Sequence, residues 1–229
     1  MSIIETKNIH KVYQETKVPV NALNGIDLKI EEGEFTAIVG PSGSGKTTLL
    51  NIIGGLDLPT QGDIIINNTN IKEFSSSQLI DFRLHNIGFV FQAYNLIPVL
   101  TAKENIEFVM VLQKRPKAER EEKAKELMEA VGLIDKMDHK PGQLSGGQQQ
   151  RVAVARALAS QPRFIIADEP TANLDSKSTN ELLEIMAEMN RKYKTTFIFA
   201  THDQRVMDKA HRIVTIDDGK VVSDEQFNR

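Results

Sequence analysis

Short, continuous runs of apolar residues recur along the chain, and segments with helical spacing separate them. The runs Phe35–Val39, Ile87–Phe91, Phe164–Ala167 and Phe197–Ala200 carry no charged residue. Between the last two runs, Thr179–Tyr193 places its leucine, isoleucine and methionine residues at helical intervals. Strands that are buried on both faces produce such continuous runs. The pattern therefore predicts an α/β fold with a mostly parallel sheet covered by helices.

Residues 2–40 follow a different pattern, in which short β-type runs alternate with turn signals. Ile3–Lys7 and Leu28–Ile30 are typical of strands, whereas Asn24-Gly25 and Glu31–Gly33 are typical of turns. We therefore predict an N-terminal antiparallel β flap that lies against the first buried strand.

The middle of the chain is predicted to be helical. Lys114–Met128 is dense in Lys, Glu, Arg and Ala and indicates a solvated helix, and Gln149–Ser160 indicates a second helix. We predict a single domain over residues 1–229, with a core at about 1–92 and 161–229. A helical subdomain at about 93–160 is inserted into that core.

Composition narrows the class of protein. The chain has 229 residues, 40% of them hydrophobic, so that it can bury a full core. Its net charge of −3 gives no indication of nucleic-acid binding, and the absence of cysteine excludes disulfides and thiolate metal sites. Apolar runs such as Phe108–Leu112 fall far short of the roughly 20 residues that span a bilayer. Any role at a membrane is therefore expected to depend on a partner.

The strand Phe35–Val39 leads into a glycine-rich loop of the form G-x-x-x-x-G-K-T, which a helical segment follows. In this context the backbone N–H groups and the helix dipole favour a phosphate group. Lys46 is expected to reach the β- and γ-phosphates, and the Thr47 hydroxyl to ligate Mg²⁺. A flexible Gly/Ser loop with a chance lysine is the alternative. The residues expected to bind nucleotide here are Gly40, Pro41, Ser42, Gly43, Ser44, Gly45, Lys46, Thr47 and Thr48.

Two acids follow the apolar run Phe164–Ala167. Asp168 ends the predicted strand, where a carboxylate can provide a second contact to Mg²⁺. Glu169 follows at once and can orient an attacking water or accept its proton. The alternative is a pair of ordinary surface acids in a turn.

A second glycine turn precedes the helix predicted at Gln149–Ser160. Its backbone N–H groups and the hydroxyl of Ser145 could form another anion site. Two phosphate-reading segments in one chain suggest that two chains share each nucleotide, whereas read alone this turn could be only a helix cap. The residues of this segment expected to contact nucleotide are Ser145, Gly146, Gly147 and Gln148.

Together these segments resemble the nucleotide-binding subunit of ATP-binding cassette (ABC) transporters over almost the whole chain. The Walker A motif matches 40–47, the signature motif 144–148 and the Walker B strand 164–168. The glutamine loop, the aspartate loop and the switch histidine match at Gln92, Asp175 and His202. The resemblance implies a RecA-like P-loop core and an active ATPase that uses ATP and Mg²⁺ and forms a homodimer on binding ATP.

The resemblance also implies roles for single residues. From position alone Tyr13 could pack on the core, which is favoured, or present its ring to a purine base; the resemblance implies that it stacks on adenine. Gln92 would contact Mg²⁺ and the attacking water. His202 would hydrogen-bond to the γ-phosphate, and Asp175 would act across the dimer interface. Asn173 departs from the family pattern, because many relatives have a small residue there.

Three short segments further resemble the sequences of the lipoprotein-release and macrolide-export group. They are Gly54–Asp57, Gly88–Gln92 and Asn95–Ala102. The resemblance implies an integral membrane subunit as partner, a location on the cytoplasmic face of the membrane and a groove formed in part by Ala93–Ala102. A soluble chromosome-maintenance relative would show a long coiled coil between the Walker motifs, and none is present. A nucleotide-gated scaffold of the cell-division type remains as the alternative.

Overall fold

A computed structural model describes residues 2–14 and 19–227 of the chain. Their strands are β1 Ser2–Tyr13, β2 Val20–Glu31, β3 Phe35–Val39, β4 Gln61–Ile66, β5 Thr69–Asn70, β6 Ile87–Phe91, β7 Phe164–Asp168, β8 Thr196–Ala200, β9 Arg212–Asp217 and β10 Lys220–Gln226. Their α-helices are α1 Lys46–Ile53, α2 Ser76–Asn86, α3 Ala102–Leu112, α4 Lys117–Ala130, α5 Gly146–Ala159, α6 Ser176–Tyr193 and α7 Gln204–Lys209. The chain packs as two compact units, of which one contains the described residues up to Arg83 and from Thr196 onward, and the other Leu84–Thr195.

The predicted N-terminal flap is confirmed as an antiparallel sheet in the first unit. Its strand order is β2-β1-β4-β5. The turn predicted at Asn24-Gly25 is wrong, because both residues lie inside β2. The pairing passes from Ile9 with Ile26 to His10 with Asn24, so that Gly25, at φ +87°, is left out as a bulge.

The first unit also contains the parallel strands that carry the glycine-rich loop. Strand β3 pairs in parallel with β8 and β9, and β10 pairs with β9 in the antiparallel sense. Every residue of β3 and β8 is buried, as their continuous apolar runs predict. The ring of Phe35 lies 4.6 Å from that of Phe199 and 5.7 Å from that of Phe197, which fills the core behind the loop.

The segment after His202 belongs to the first unit. It contains α7, β9 and β10, none of which the apolar pattern predicts. Arg212 in β9 is 8% exposed and donates hydrogen bonds to Asp224 and Glu34. These bonds, above all those to Asp224, raise the pKa of Arg212 and more than offset its burial. The ion-pair network anchors β9 and β10 to the start of β3.

The second unit joins a parallel pair of strands to four helices. Strand β6 pairs with β7, and α5 packs on α3, α4, α6 and β6. Both predicted helices form, with bounds shifted to Lys117–Ala130 and Gly146–Ala159. Helix α3 was not predicted, although Thr101 and Glu104 form a capping box at its start. The proposed subdomain bounds of about 93–160 stay a prediction.

In the part of the chain that the structure describes, no helix is both long and apolar enough to cross a membrane.

Candidate functional site

The glycine-rich loop connects β3 to α1 and can be built only with glycine at two positions. At Gly40 the backbone has φ +149°, and an added Cβ would lie 2.0 Å from the carbonyl oxygen of Ile216. At Gly45, with φ +103°, an added Cβ would lie 2.5 Å from the carbonyl oxygen of Ala22. Both contacts are with backbone that cannot move aside cheaply, so the glycines fix the path of the loop.

The loop presents hydrogen-bond donors that suit an anion. Helix α1 begins after Gly45, and its described first turn has neither a side-chain cap nor an acidic residue. The hydroxyl of Ser44 is buried and, among the described residues, has no hydrogen-bond partner. A helix N-terminus without a capping oxygen and a buried hydroxyl without a partner are the features that a bound phosphate would complete. The residues present therefore fit a nucleotide phosphate.

Lys46 lies over the same loop. Its ammonium donates to the carbonyl oxygens of Gly40 at 2.8 Å and Pro41 at 2.9 Å. The positive charge is thus held inside the loop by two neutral acceptors, which a phosphate would outcompete. Thr47 is exposed and Thr48 half-buried at the start of α1. The remaining loop residues Pro41, Ser42 and Gly43 are exposed.

The first unit also contains Tyr13 and His202. Tyr13 ends β1, is half-buried, and donates its hydroxyl to Asp57 at 2.9 Å. His202 is exposed in the loop between β8 and α7. That loop is ordered by Asp203, which caps α7 and forms a bidentate ion pair with Arg205.

In the second unit, parallel pairing aligns the ends of two strands. Asp168, the last residue of β7, is in register with Phe91, the last residue of β6. Gln92 and Glu169 follow these two positions, so that three predicted residues lie at one edge of the pair. Glu169 adopts φ +46°, a left-handed conformation that is strained for a residue other than glycine. Such strain is found where the surrounding structure imposes it, often at functional sites.

Two side chains, to which the sequence assigned no role at this site, hold this edge together. Asn173 donates its amide to the carbonyl oxygen of Gln92 at 3.1 Å, which gives the departure at this position a structural role. Buried Gln150 donates to the carbonyl oxygens of Phe91 and Pro170. A small residue at position 173 could not make the bond to Gln92. These contacts join residues far apart in the chain, so no local pattern reveals them.

The second glycine turn forms the N-terminus of α5. Ser145 caps the helix by accepting from the N–H of Gln148, whose side chain accepts from the N–H of Ser145 in return. A Cβ added at Gly146 would lie 2.8 Å from the Tyr94 hydroxyl, and a Cβ added at Gly147 would lie 2.8 Å from Ser178 Oγ. The turn is thus a capped helix start, as the alternative interpretation requires, and a larger residue at either glycine would have to displace a neighbouring side-chain hydroxyl.

Asp175 caps the next helix, α6. It accepts from the N–H of Ser178 at 2.9 Å and from its hydroxyl at 2.7 Å. The backbone hydrogen bond from Ser178, followed by that from its hydroxyl, lowers the pKa of Asp175, which therefore stays charged at neutral pH. Ser178 is the residue beside Gly147, so the aspartate loop and the second glycine turn share a neighbour.

The predicted site residues thus fall into two sets. The first unit contains residues 40–48, Tyr13 and His202, and the second contains Gln92, Asp168, Glu169, residues 144–148 and Asp175. Within the described residues, no three His, Asp or Glu side chains gather into a metal site. Mg²⁺ typically binds one or two carboxylates together with substrate phosphates and water, so it needs no such cluster. The hydroxyl of Thr47 and the carboxylate of Asp168 are oxygen ligands of the type it prefers.

Comparison with known proteins places these motifs in a family. The ABC transporter family model matches residues 23–172. A lipoprotein-releasing system ATP-binding protein, LolD 1 of Rhodopseudomonas palustris, is 47% identical over 96% of this chain and 98% of its own. A macrolide export ATP-binding/permease protein, MacB of Hyphomonas neptunium, is 48% identical over 97% of this chain, which spans 34% of that protein.

A solved structure agrees with the fold as well. It is described as the dimeric structure of a post-hydrolysis state of the ATP-binding cassette MJ0796 bound to ADP and Pi. It has 43% identity to this chain, a TM-score of 0.90 and 99% coverage of both chains. The protein of that name comes from Methanocaldococcus jannaschii. The predicted fold is confirmed by this likeness, and the chain belongs to the ABC transporter family as an ATP-hydrolysing, ATP-binding cassette.

Proposed function

We propose that two copies of this chain hydrolyse ATP together and thereby drive a membrane partner of the lipoprotein-release and macrolide-export type. The observation that carries the proposal is the glycine-rich loop, with its required glycines, its Ser44 hydroxyl, which is buried and has no partner among the described residues, and Lys46 folded over it. Relatives named LolD and MacB, at 47% and 48% identity over nearly the whole chain, support the subtype.

In the proposed mechanism the loop binds the phosphates of ATP. The N–H groups of the loop and of α1, together with the Ser44 hydroxyl, donate to the phosphate oxygens. Lys46 transfers its hydrogen bonds from Gly40 and Pro41 to the β- and γ-phosphates. Because the lysine charge is already held at the loop, little reorganisation is needed when ATP arrives.

The hydrolytic step depends on the residues at the ends of β6 and β7. Glu169 accepts a proton from the attacking water, which adds in line to the γ-phosphate as the bond to the β-phosphate oxygen breaks. Gln92 orients the water, and His202 donates a hydrogen bond to the γ-phosphate. Asp168, Thr47 and Gln92 would hold Mg²⁺, which when bound neutralises charge on the phosphates.

The second glycine turn would act on the nucleotide of another copy. Ser145, Gly146 and Gly147 at the start of α5 would present a helix N-terminus to the γ-phosphate, with Ser145 as the cap and the Gln148 side chain bonded back to its N–H. Asp175 would contact the partner copy. The cassette MJ0796, 43% identical, was solved as a dimer, which supports this arrangement. In this proposal neither copy contains a complete site.

The membrane partner would dock on the segment Ala93–Ala102. Val99 in this segment is 73% exposed, the largest exposed fraction among the large apolar side chains of the described residues, and is therefore accessible to a partner. The chain would then lie on the cytoplasmic face of the membrane through this contact. We also propose that it forms a single domain with a helical subdomain at about 93–160.

Reconstitution with the membrane subunit separates a motor from a scaffold. We expect the ATPase rate to rise severalfold when the chain is assembled in lipid vesicles with the membrane protein encoded beside its gene. Motors couple the conformational change of the partner to hydrolysis, whereas scaffolds need only bind nucleotide. The measurement is phosphate release, with empty vesicles and Glu169→Gln as controls. An unchanged rate, with binding of the two proteins demonstrated, would favour the scaffold.

A further inference from the structure

Asp57, just after α1, accepts hydrogen bonds from three groups. Its Oδ1 accepts from the Lys11 ammonium at 2.6 Å and from the N–H of Leu58 at 2.7 Å. Its Oδ2 accepts from the Tyr13 hydroxyl at 2.9 Å. Both oxygens are therefore used, and the carboxylate is clamped between the end of β1 and its own loop.

The loop around Asp57 is itself fixed to α1, the helix that starts at the phosphate loop. The N–H groups of Leu56 and Asp57 both donate to the carbonyl oxygen of Asn51, at 2.8 Å and 3.2 Å. On the other side, Lys11 donates to the carbonyl oxygen of Leu58 at 2.9 Å. The chain thus contains a short, continuous hydrogen-bonded connection from α1 to the ring of Tyr13.

Lys11 covers one face of the Tyr13 ring. The Lys11 ammonium lies 5.0 Å from the ring centroid, within the range of a cation–π contact. Lys11 is 14% exposed and is held in this position by Asp57. A purine that stacks on Tyr13 must therefore use the face opposite to Lys11, and Asp57 determines which face that is.

We propose that Asp57 is a positioning residue for nucleotide binding, which holds Tyr13 at a set distance and orientation from the phosphate loop. This inference rests on the proposed contact between Tyr13 and adenine. ATP has its base and its phosphates at opposite ends, so it binds fully only when both ends meet their contacts at once. A ring that moved freely would lose part of the base contact to disorder.

The charge state of Asp57 supports this role. Burial acts to raise the pKa of Asp57, but the hydrogen bonds from Lys11, Tyr13 and the Leu58 N–H outweigh it. The pKa of Asp57 consequently lies below the usual value for aspartate. At neutral pH the carboxylate is charged, and its bond to the Tyr13 hydroxyl is the stronger, charge-assisted kind.

The test compares two ligands in two backgrounds. Calorimetric titration with ATP and with inorganic tripolyphosphate, both with Mg²⁺, is performed on wild type, Asp57→Ala, Tyr13→Ala and the double variant. We expect Tyr13→Ala and Asp57→Ala each to weaken the binding of ATP about tenfold, which is the scale of one base stack or one charge-assisted bond. The affinity for tripolyphosphate should not change. In the Tyr13→Ala background, Asp57→Ala should not lower the affinity for ATP any further.

Each other outcome has a distinct meaning. If Tyr13→Ala leaves ATP affinity intact, the proposed base contact is wrong and the role of Asp57 falls with it. Suppose that Tyr13→Ala weakens ATP binding. If Asp57→Ala then leaves ATP binding intact, or weakens the binding of ATP and tripolyphosphate equally, only the positioning role is overturned. If a thermal scan shows that Asp57→Ala does not fold, Asp57→Asn and Tyr13→Phe are used in place of the two alanine variants. These two variants should weaken ATP binding by the same factor, and the double variant should weaken it no further. Full ATP affinity in both would contradict the inference.

Discussion

Replacing Lys46 with alanine will remove almost all ATP binding and, with it, ATP hydrolysis. Lys46 makes two hydrogen bonds inside the phosphate loop, to Gly40 and Pro41, and the proposed ligand replaces these neutral acceptors with charged oxygens. Two charge-assisted bonds to phosphate correspond to a loss of about a hundred- to a thousandfold in affinity. Calorimetric titration with ATP measures the binding, and phosphate release measures the rate.

The matched control is Lys29→Ala. Lys29 belongs to the same unit and is 67% exposed, where it pairs with Glu5 at the surface. This variant should keep wild-type affinity, since an exposed ion pair contributes little. A thermal scan of both variants excludes unfolding as the cause. Unchanged ATP affinity in a folded Lys46→Ala variant would contradict the phosphate-loop assignment.

Glu169→Gln will separate binding from chemistry. The amide has the shape of the carboxylate but cannot accept the proton of the attacking water. We expect hydrolysis to fall about a hundred- to ten-thousandfold, the range for loss of a general base, while ATP affinity is preserved. The left-handed backbone at φ +46° is already accommodated and should tolerate glutamine as it tolerates glutamate.

Glu188→Gln provides the comparison, because it makes the same chemical change at an exposed position of α6 in the same unit. It should hydrolyse ATP at the wild-type rate. If Glu169→Gln also turned over ATP at that rate, another group would have to act as the base.

The core of the fold could be predicted because burial shapes the sequence directly. Strands such as β3 and β8 are buried at every position, and a mainly apolar run suits that environment. Helix α3 was missed because its buried positions include the polar Asn105, which bonds to the carbonyl oxygens of Ile97 and Leu100. The turn predicted at Asn24-Gly25 failed because pairing with β1 overrode the local preference of glycine for turns.

In the candidate site, too, features formed by neighbouring residues could be predicted from the sequence, whereas contacts between residues far apart in the chain could not. The phosphate loop and the second glycine turn are each contiguous in the chain, so both appear in the sequence as motifs. Asn173 and Asp57 act through contacts with Gln92 and Tyr13, which lie far from them in the chain. No periodicity or spacing encodes such a pair. The catalytic and binding roles of the individual residues stay predictions until variants are measured.

In the proposed mechanism each nucleotide is shared by two copies of the chain. Because Glu169→Gln binds ATP without consuming it, this variant should hold the shared state long enough to observe. Ser145→Arg in the same background places a large charged side chain at the start of α5, where the other copy's nucleotide would lie. It should prevent pairing while leaving the phosphate loop of its own chain intact.

Sedimentation of Glu169→Gln with and without ATP and Mg²⁺ measures this pairing. We predict a mass near 25.6 kDa without nucleotide and twice that mass with it, and a return to the single-chain mass when Ser145→Arg is added. A single-chain mass at saturating ATP, with bound nucleotide confirmed, would contradict the account, as would pairing that depends on neither ATP nor Ser145.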